Sequence, residues 1–281
     1  MSYLLLLAIL PVFLLCMFIY KKDVNREPGK LLAKIFALGF FSAIPVVIGE
    51  MFLGYIFPTD GETNFITLFI NVFIAVALVE EGFKWIITRF FGYNNKEFDE
   101  VYDIVVYSVF ASLGFACIEN ILYVLGGGLS TAILRALLSV PGHMCFGVIM
   151  GYFLSQAKIN QVNENKGLRT RNMIFSILFP TLAHTAYDAL LFYTVATGSY
   201  ITILLFFVFD IVMVVLCFIT ISKTSKIQKN LNNNINTGVI TYNNGVLSYQ
   251  PVEKKEINYC PVCGHYVKEY NYCPSCGFKI K

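Results

Sequence analysis

The chain has 281 residues, of which 57% are hydrophobic and 14% charged, with a formal net charge of +3. This balance excludes a disordered chain and fits poorly with a soluble enzyme, in which charged residues approach a quarter. The apolar residues fall in long runs, each near the ~20 needed to cross ~30 Å of hydrocarbon.

In chain order, residues 2–20 form the first predicted span. No basic segment precedes it and Lys21 and Lys22 follow directly, which reads as a retained anchor and not a cleaved leader. The second span covers residues 31–57 with a kink expected at Pro45, and the third covers 65–91. A fourth span (101–125), a turn at Gly126-Gly127-Gly128 and a fifth span (131–155) follow. The sixth (172–197) and seventh (200–222) are separated by a few residues around Gly198, so they are expected to pack as antiparallel neighbours. The expected fold is therefore an all-α polytopic membrane protein of about seven helices over residues 1–222. Lys and Arg occur in the loops after the first, third, fifth and seventh spans and are missing from 59–64, 126–130 and 198–199. The positive-inside rule then puts the N-terminus outside and the C-terminal tail in the cytosol.

Residues 223–258 read as a polar, Asn-rich linker. Within it, 239–242 and 246–249 flank Asn244-Gly245, a hairpin-turn pair. Residues 259–281 carry Cys260-Pro-Val-Cys263-Gly and Cys273-Pro-Ser-Cys276-Gly, two copies of one knuckle. Four thiolates in a cytosolic tail point to a closed structural zinc site, a miniature zinc ribbon, with rubredoxin-like iron as the lesser alternative. So short a domain needs its metal to fold. His265 reads as a bystander. A protein or nucleic-acid partner in the cytosol is expected for this ribbon, without its identity. The remaining cysteines, Cys16, Cys117, Cys145 and Cys217, read as small buried residues.

The apolar spans hold charges that lipid does not solvate. A single charge at the bilayer centre costs roughly 2.5–3.5 kcal/mol on insertion scales, yet the third span holds Glu80, Glu81 and Lys84. Taking span centres as the midplane, Glu80 lies within ~3 Å of it and His143 and His184 lie at it, with Asp188 ~5 Å and Glu119 ~7 Å outward. Four helices thus bring ionisable groups to one slab of the membrane, where they must face one another or a wet cavity. Glu80 and Lys84 stand at i, i+4 and Glu81 and Lys84 at i, i+3, but one lysine does not neutralise two carboxylates. His184 and Asp188 are also i, i+4, the spacing at which a carboxylate orients an imidazole. Pro141 and Pro180 precede the two histidines and free backbone carbonyls at depth. His143, Gly147 and Gly151 share a face that admits a close neighbour. Glu50 and Arg135 lie toward span ends and are expected to snorkel to the surface. Asp210 is deep and without a companion on its own helix, so it is expected to pair with the cluster or with Lys84. The face of Asn71 is undecided.

The series Glu80-Glu81-x-x-Lys84, Phe115-x-x-x-Glu119-Asn120, His143 and His184-x-x-x-Asp188, each on its own span, resembles the PrsW family of intramembrane proteases, which is related to the type II CAAX prenyl endopeptidases and the Abi proteins. The resemblance covers about residues 65–197. It implies a bacterial plasma-membrane endopeptidase that cuts membrane-anchored proteins, in the best-known role an anti-sigma factor. It also implies that Glu80 and Glu81 are the essential pair and that His143, His184 and Asp188 are site residues. Glu119 stands where the prenyl endopeptidases have histidine. On this basis Glu80 is expected to draw a proton from water, and Glu81 to position Lys84 or a histidine. His184, held by Asp188, would stabilise the oxyanion or protonate the leaving amine. The alternative is a zinc ion held by Glu119, His143 and His184, with Glu80 still the base. Two other classes also use intramembrane charges: a proton-coupled transporter, and a non-catalytic receptor signalling through the zinc-ribbon tail.

Overall fold

The computed structural model describes residues 2–162, 164–234, 238–243, 246–251, 260, 262, 266 and 267. Nine α-helices appear among the described residues: α1 (Ser2–Lys22), α2 (Gly29–Phe41), α3 (Ala43–Ile56), α4 (Phe65–Val72), α5 (Leu78–Ile87), α6 (Asp103–Leu134), α7 (Val140–Val162), α8 (Lys166–Thr197) and α9 (Tyr200–Asn234). They merge into six stretches long and apolar enough to cross a membrane. The second stretch is α2 and α3, broken at Ser42, whose hydroxyl donates to the Gly39 carbonyl at 2.6 Å. Pro45 lies in the first turn of α3, so the expected kink is there, shifted a few residues toward the N-terminus. The third stretch joins α4 and α5 through a π-helical turn, Phe73–Ala77, and continues through a second, Thr88–Tyr93. Asn64 starts it by accepting from the Ile66 and Thr67 amides.

The fourth stretch, Asp103–Gln161, contains α6, a π-helical turn at Arg135–Ser139, and α7. Helix continues through Gly126 and Gly127, where a turn was expected. The break falls at Gly128 alone, with φ 73° and ψ −153°, a conformation that glycine tolerates and other residues do not. Beyond it α7 runs back along α6. Ser112 donates to the His143 carbonyl at 2.6 Å and Ser108 to the Gly147 carbonyl at 2.7 Å, so rising numbers on one helix meet falling numbers on the other. The close approach rests on Gly147 and Gly151: a Cβ at Gly151 would sit 2.6 Å from the Val105 Cα.

These two helices form the most deeply buried part of the bundle. α6 packs against α1, α2 and α7, and α7 against α8 and α9. α8 ends at Gly198, a left-handed residue (φ 68°) that turns the chain directly into α9, and α8 and α9 pack together as expected. Outward faces carry large apolar side chains, such as Ile44, Ile48 and Phe52 on α3 and Ile201, Leu204 and Val208 on α9. Polar groups are kept inside, the reverse of a water-soluble bundle, as a hydrocarbon solvent requires.

Beyond the bundle, strands β1 (Gly238–Asn243) and β2 (Val246–Pro251) pair antiparallel, with Thr241 opposite Ser248. This is the expected hairpin; its turn pair, 244–245, lies outside the described residues. Of the four knuckle cysteines, Cys260 is buried, and Cys263, Cys273 and Cys276 lie outside the described residues, as does His265.

Candidate active site

α5 is ten residues long and sits between two π-helical turns. Such turns insert an extra residue per turn and re-aim side chains, and they recur at functional sites. Here Glu80, Glu81 and Lys84 all point inward: Glu81 and Lys84 are fully buried, and Glu80 retains 5% exposure. The Lys84 ammonium donates to Glu80 Oε2 at 2.9 Å and to Glu81 Oε1 at 2.7 Å. It also meets His143 Nδ1 at 3.1 Å and lies over the Phe115 ring, 4.4 Å from its centroid. An ammonium has three donors and no acceptor. His143 Nδ1 therefore accepts, and the ring's proton is on Nε2, which faces Glu119 Oε2 at 2.7 Å.

His184, from α8, completes the centre. Its Nδ1 lies 3.1 Å from Glu81 Oε1 and 4.0 Å from Glu80 Oε2, and its Nε2 lies 3.1 Å from Asp188 Oδ2. Phe146 stacks on the His184 ring, with centroids 4.7 Å apart and planes inclined by 18°. The His143 and His184 rings meet edge to face at 5.7 Å. α5 is fixed to α8 from outside the centre by Trp85, whose indole donates to Ser176 Oγ at 2.8 Å.

All seven site residues predicted from sequence thus converge: Glu80, Glu81, Lys84, Glu119, His143, His184 and Asp188. Two outlying expectations are corrected. Arg135 does not snorkel. Its guanidinium lies 3.0 Å from Glu119 Oε2 and its Nε donates to Asn120 Oδ1 at 2.9 Å. The surplus of carboxylate over lysine in this slab was the available sign that another cation was needed. Asp210 pairs with neither the cluster nor Lys84; it is buried on α9 with Oδ1 unpartnered. Asn71 resolves inward, donating to the Pro58 carbonyl at 2.6 Å.

The set Glu119, His143 and His184 does not gather around one point as a metal site requires. Both nitrogens of each ring already face protein groups, and those groups differ for the two rings. The three residues that do offer atoms within 4.8 Å of one another are Glu80, Glu81 and His184. Two carboxylates and an imidazole are ligand types that zinc accepts, and Glu81 Oε2 is buried without a partner, so these residues fit a metal by donor chemistry. Lys84 occupies oxygens of the same two carboxylates.

The fold and site together define a class: a helical membrane protein with an acid–base centre enclosed at membrane depth. The chain matches the model of the PrsW family intramembrane metalloproteases over residues 27–218, and it belongs to that family. It is 39% identical to Protease PrsW of Oceanobacillus iheyensis over 184 residues, 66% of this chain and 80% of the relative. It is 37% identical to Protease PrsW of Halalkalibacterium halodurans over 185 residues (66% and 81%), and 34% identical to that of Bacillus subtilis over 183 (64% and 78%). No solved structure gives a significant match. The protein is an intramembrane protease, which sets aside the transporter and receptor alternatives. The matched region stops before residue 223, so the tail is outside it.

Proposed function

We propose that the protein hydrolyses a peptide bond of a membrane-anchored protein, an anti-sigma factor being the leading substrate class, with Glu80 as the base that activates water. The observation that carries this is the contrast between the two adjacent carboxylates. Glu81 is sealed, with Oε1 committed to Lys84 and His184. Glu80 keeps a little exposure and gives only Oε2 to Lys84, which leaves Oε1 without a protein partner among the described residues. A base needs such an oxygen facing the water it deprotonates. Lys84 holds Glu80 in its orientation. Glu81 and Asp188 hold the His184 ring from its two sides, and the ring leaves one of these carboxylates to offer that N–H to the oxyanion or to the leaving amine. Glu119 and Arg135 fix His143 behind Lys84. If a metal is resident, Glu80, Glu81 and His184 would hold it, and it would supply Lewis acidity and an acidified water.

The membrane arrangement proposed with this chemistry has seven crossings, because the stretch broken at Gly128 folds back on itself. The N-terminus is outside and the tail is in the cytosol. In support, segments bearing the basic loops meet at one end: Tyr93 donates to Gln161 at 3.0 Å, and Ser225 to the Lys22 carbonyl at 2.8 Å. The tail is proposed as a zinc ribbon held by Cys260, Cys263, Cys273 and Cys276, docking a cytosolic partner. It plays no part in hydrolysis.

The test is cleavage of membrane-anchored candidate substrates in liposomes. Glu80→Gln is expected to lower the rate by ~10²–10⁴-fold, the usual contribution of a positioned base. Activity that survives a chelator in protein lacking the tail would support glutamate chemistry without exchangeable metal. Full activity in Glu80→Gln would refute the assignment of the base.

A further inference from the structure

A second group of acids, away from the catalytic centre, is unlike an ordinary solvated loop. The segment between α1 and α2 supplies Asp23 and Glu27, and the approach to α6 supplies Asp99, Glu100 and Asp103. Oxygens of Asp23, Glu100 and Asp103 lie within 4.8 Å of one another, as do those of Glu27, Asp99 and Asp103, so Asp103 is shared by both sets. Asp103 is fully buried; Asp23 and Glu27 keep 5% exposure and Glu100 8%, while Asp99 is exposed. Asp103 begins α6, some 16 residues or ~24 Å of helix from Glu119.

The polar partners on hand do not satisfy Asp23 and Asp103. Asp103 Oδ2 accepts from the Asp99 and Glu100 amides at 3.1 and 2.6 Å, but its Oδ1 is buried with no partner. Neither oxygen of Asp23 has one. The amides of residues 24, 25 and 27 lower its pKa in part, yet none meets it at hydrogen-bonding geometry. Tyr107 donates to Glu27 and Asn25 to Glu100. No lysine, arginine or histidine pairs with Asp23, Glu27, Asp99 or Asp103 among the described residues. Several basic chains of this end lie over rings: Lys22 over Phe18 at 5.6 Å, Arg26 over Tyr20 at 5.5 Å, Lys34 over Phe91 at 5.0 Å and Lys158 over Phe98 at 4.9 Å. Burial, with Glu100 beside it, pushes Asp23 up to about 7, and burial likewise pushes Glu27 up to about 7.

We propose that this group is a divalent-cation site, with Asp23, Glu100 and Asp103 as its core and Glu27 and Asp99 at its margin, taking an oxygen-preferring ion such as Mg²⁺ or Ca²⁺. Hard cations favour carboxylate oxygens in this number, and thiolate or imidazole donors are missing from the group. Asp23 and Asp103, each with a buried oxygen that has no partner, are fixed by the fold on segments far apart in sequence, so one ion would fasten the α1–α2 connection to the start of α6. The inference does not depend on the protease chemistry.

The test is the thermal unfolding of full-length protein, purified in detergent and stripped with EDTA, with and without millimolar MgCl₂ or CaCl₂. One of the two salts is expected to raise the midpoint of the wild type by about 5 °C or more. The same shift should survive in Glu80→Gln and be lost in Asp23→Asn, and cation-free Asp23→Asn should unfold at a higher temperature than the cation-free wild type. No shift with either salt overturns the proposal. So does a shift that persists in Asp23→Asn, or one that disappears in Glu80→Gln. If Asp23→Asn does not fold, Tb³⁺ luminescence of the wild type, excited through Tyr102 and Tyr107, replaces it. Displacement of that signal by Mg²⁺ or Ca²⁺ supports the site, and its absence refutes it.

Discussion

Glu119 is held from two sides, by His143 at 2.7 Å and Arg135 at 3.0 Å. The second contact makes Arg135 more than a charge at a helix end. Its Nε also grips Asn120, which in turn donates to the Ala8 carbonyl of α1 at 2.7 Å. Removing the guanidinium would leave Glu119 free to turn from His143, and the imidazole would lose the partner that fixes its tautomer. Arg135→Leu is therefore expected to cost about 2 kcal/mol of stability, the range for a charged hydrogen bond. It should also lower turnover by about 10-fold through misplacement of His143, with Arg135→Lys restoring part of it. Paired measurements of the unfolding midpoint and the cleavage rate check both. That the seven polar residues would gather was legible in sequence because lipid leaves an internal charge no other place to go. Arg135 was not, because a long side chain near the end of a span has a second outlet, the membrane surface. The acids at 23, 27, 99, 100 and 103 were missed for a related reason: carboxylates in loops and at span ends are ordinarily solvated, and only the fold shows that all of these but Asp99 are buried.

The α6–α7 pair places His143 at the level of Lys84, and it does so by backbone proximity. Gly151 lies two turns along α7 from His143, where an added Cβ would fall 2.4 Å from Ser108 Oγ and 2.6 Å from the Val105 Cα. A hydroxyl can rotate away, but the backbone of a packed helix does not, so α7 would have to retreat. Gly151→Ala is expected to cost ~1–3 kcal/mol, as overpacking does, and to lower activity by loosening His143 from Lys84. Gly126 has nothing within 4 Å of its would-be Cβ; Gly126→Ala should leave both the unfolding midpoint and the cleavage rate unchanged. A difference of the opposite order would mean that the two helices are not held by this seam. The periodicity of small residues announced a close neighbour for this face. It did not identify the neighbour as α6, nor did it show the π-helical turns at 73–77, 88–93 and 135–139, since no composition rule distinguishes a π turn from an α turn. The chain reversal was expected across three glycines, but the hydrogen bonds of an apolar helix persist in lipid until one residue adopts an incompatible φ, and only Gly128 does.

At the scale of the whole molecule, the count of crossings decides which side each end occupies. Six apolar stretches taken as single passes put both ends on the same side, whereas the proposed extra pass at the Gly128 reversal would put them on opposite sides. The contacts between Tyr93 and Gln161 and between Lys22 and Ser225 hold at one end of the bundle the segments rich in Lys and Arg. That end should face the cytosol. Green fluorescent protein fused after Lys281 should therefore be fluorescent, and alkaline phosphatase inserted after Gly61, in the opposite set of loops, should be active. The same phosphatase inserted near Asn94 should be inactive. Activity at both 61 and 94 would contradict the crossing between them, and an inactive insertion at 61 with a dark C-terminal fusion would invert the whole orientation. Orientation also bears on the tail. If residues 223–281 lie in the cytosol and the catalytic cluster is enclosed by α5, α6, α7 and α8, then truncation after Ser222 removes no group that touches the cluster. Such a protein should cleave in liposomes at a rate near that of the full chain, while losing whatever cytosolic partner the four-cysteine tail recruits. A truncated protein that folds but does not cleave would mean that the tail acts on the membrane core itself.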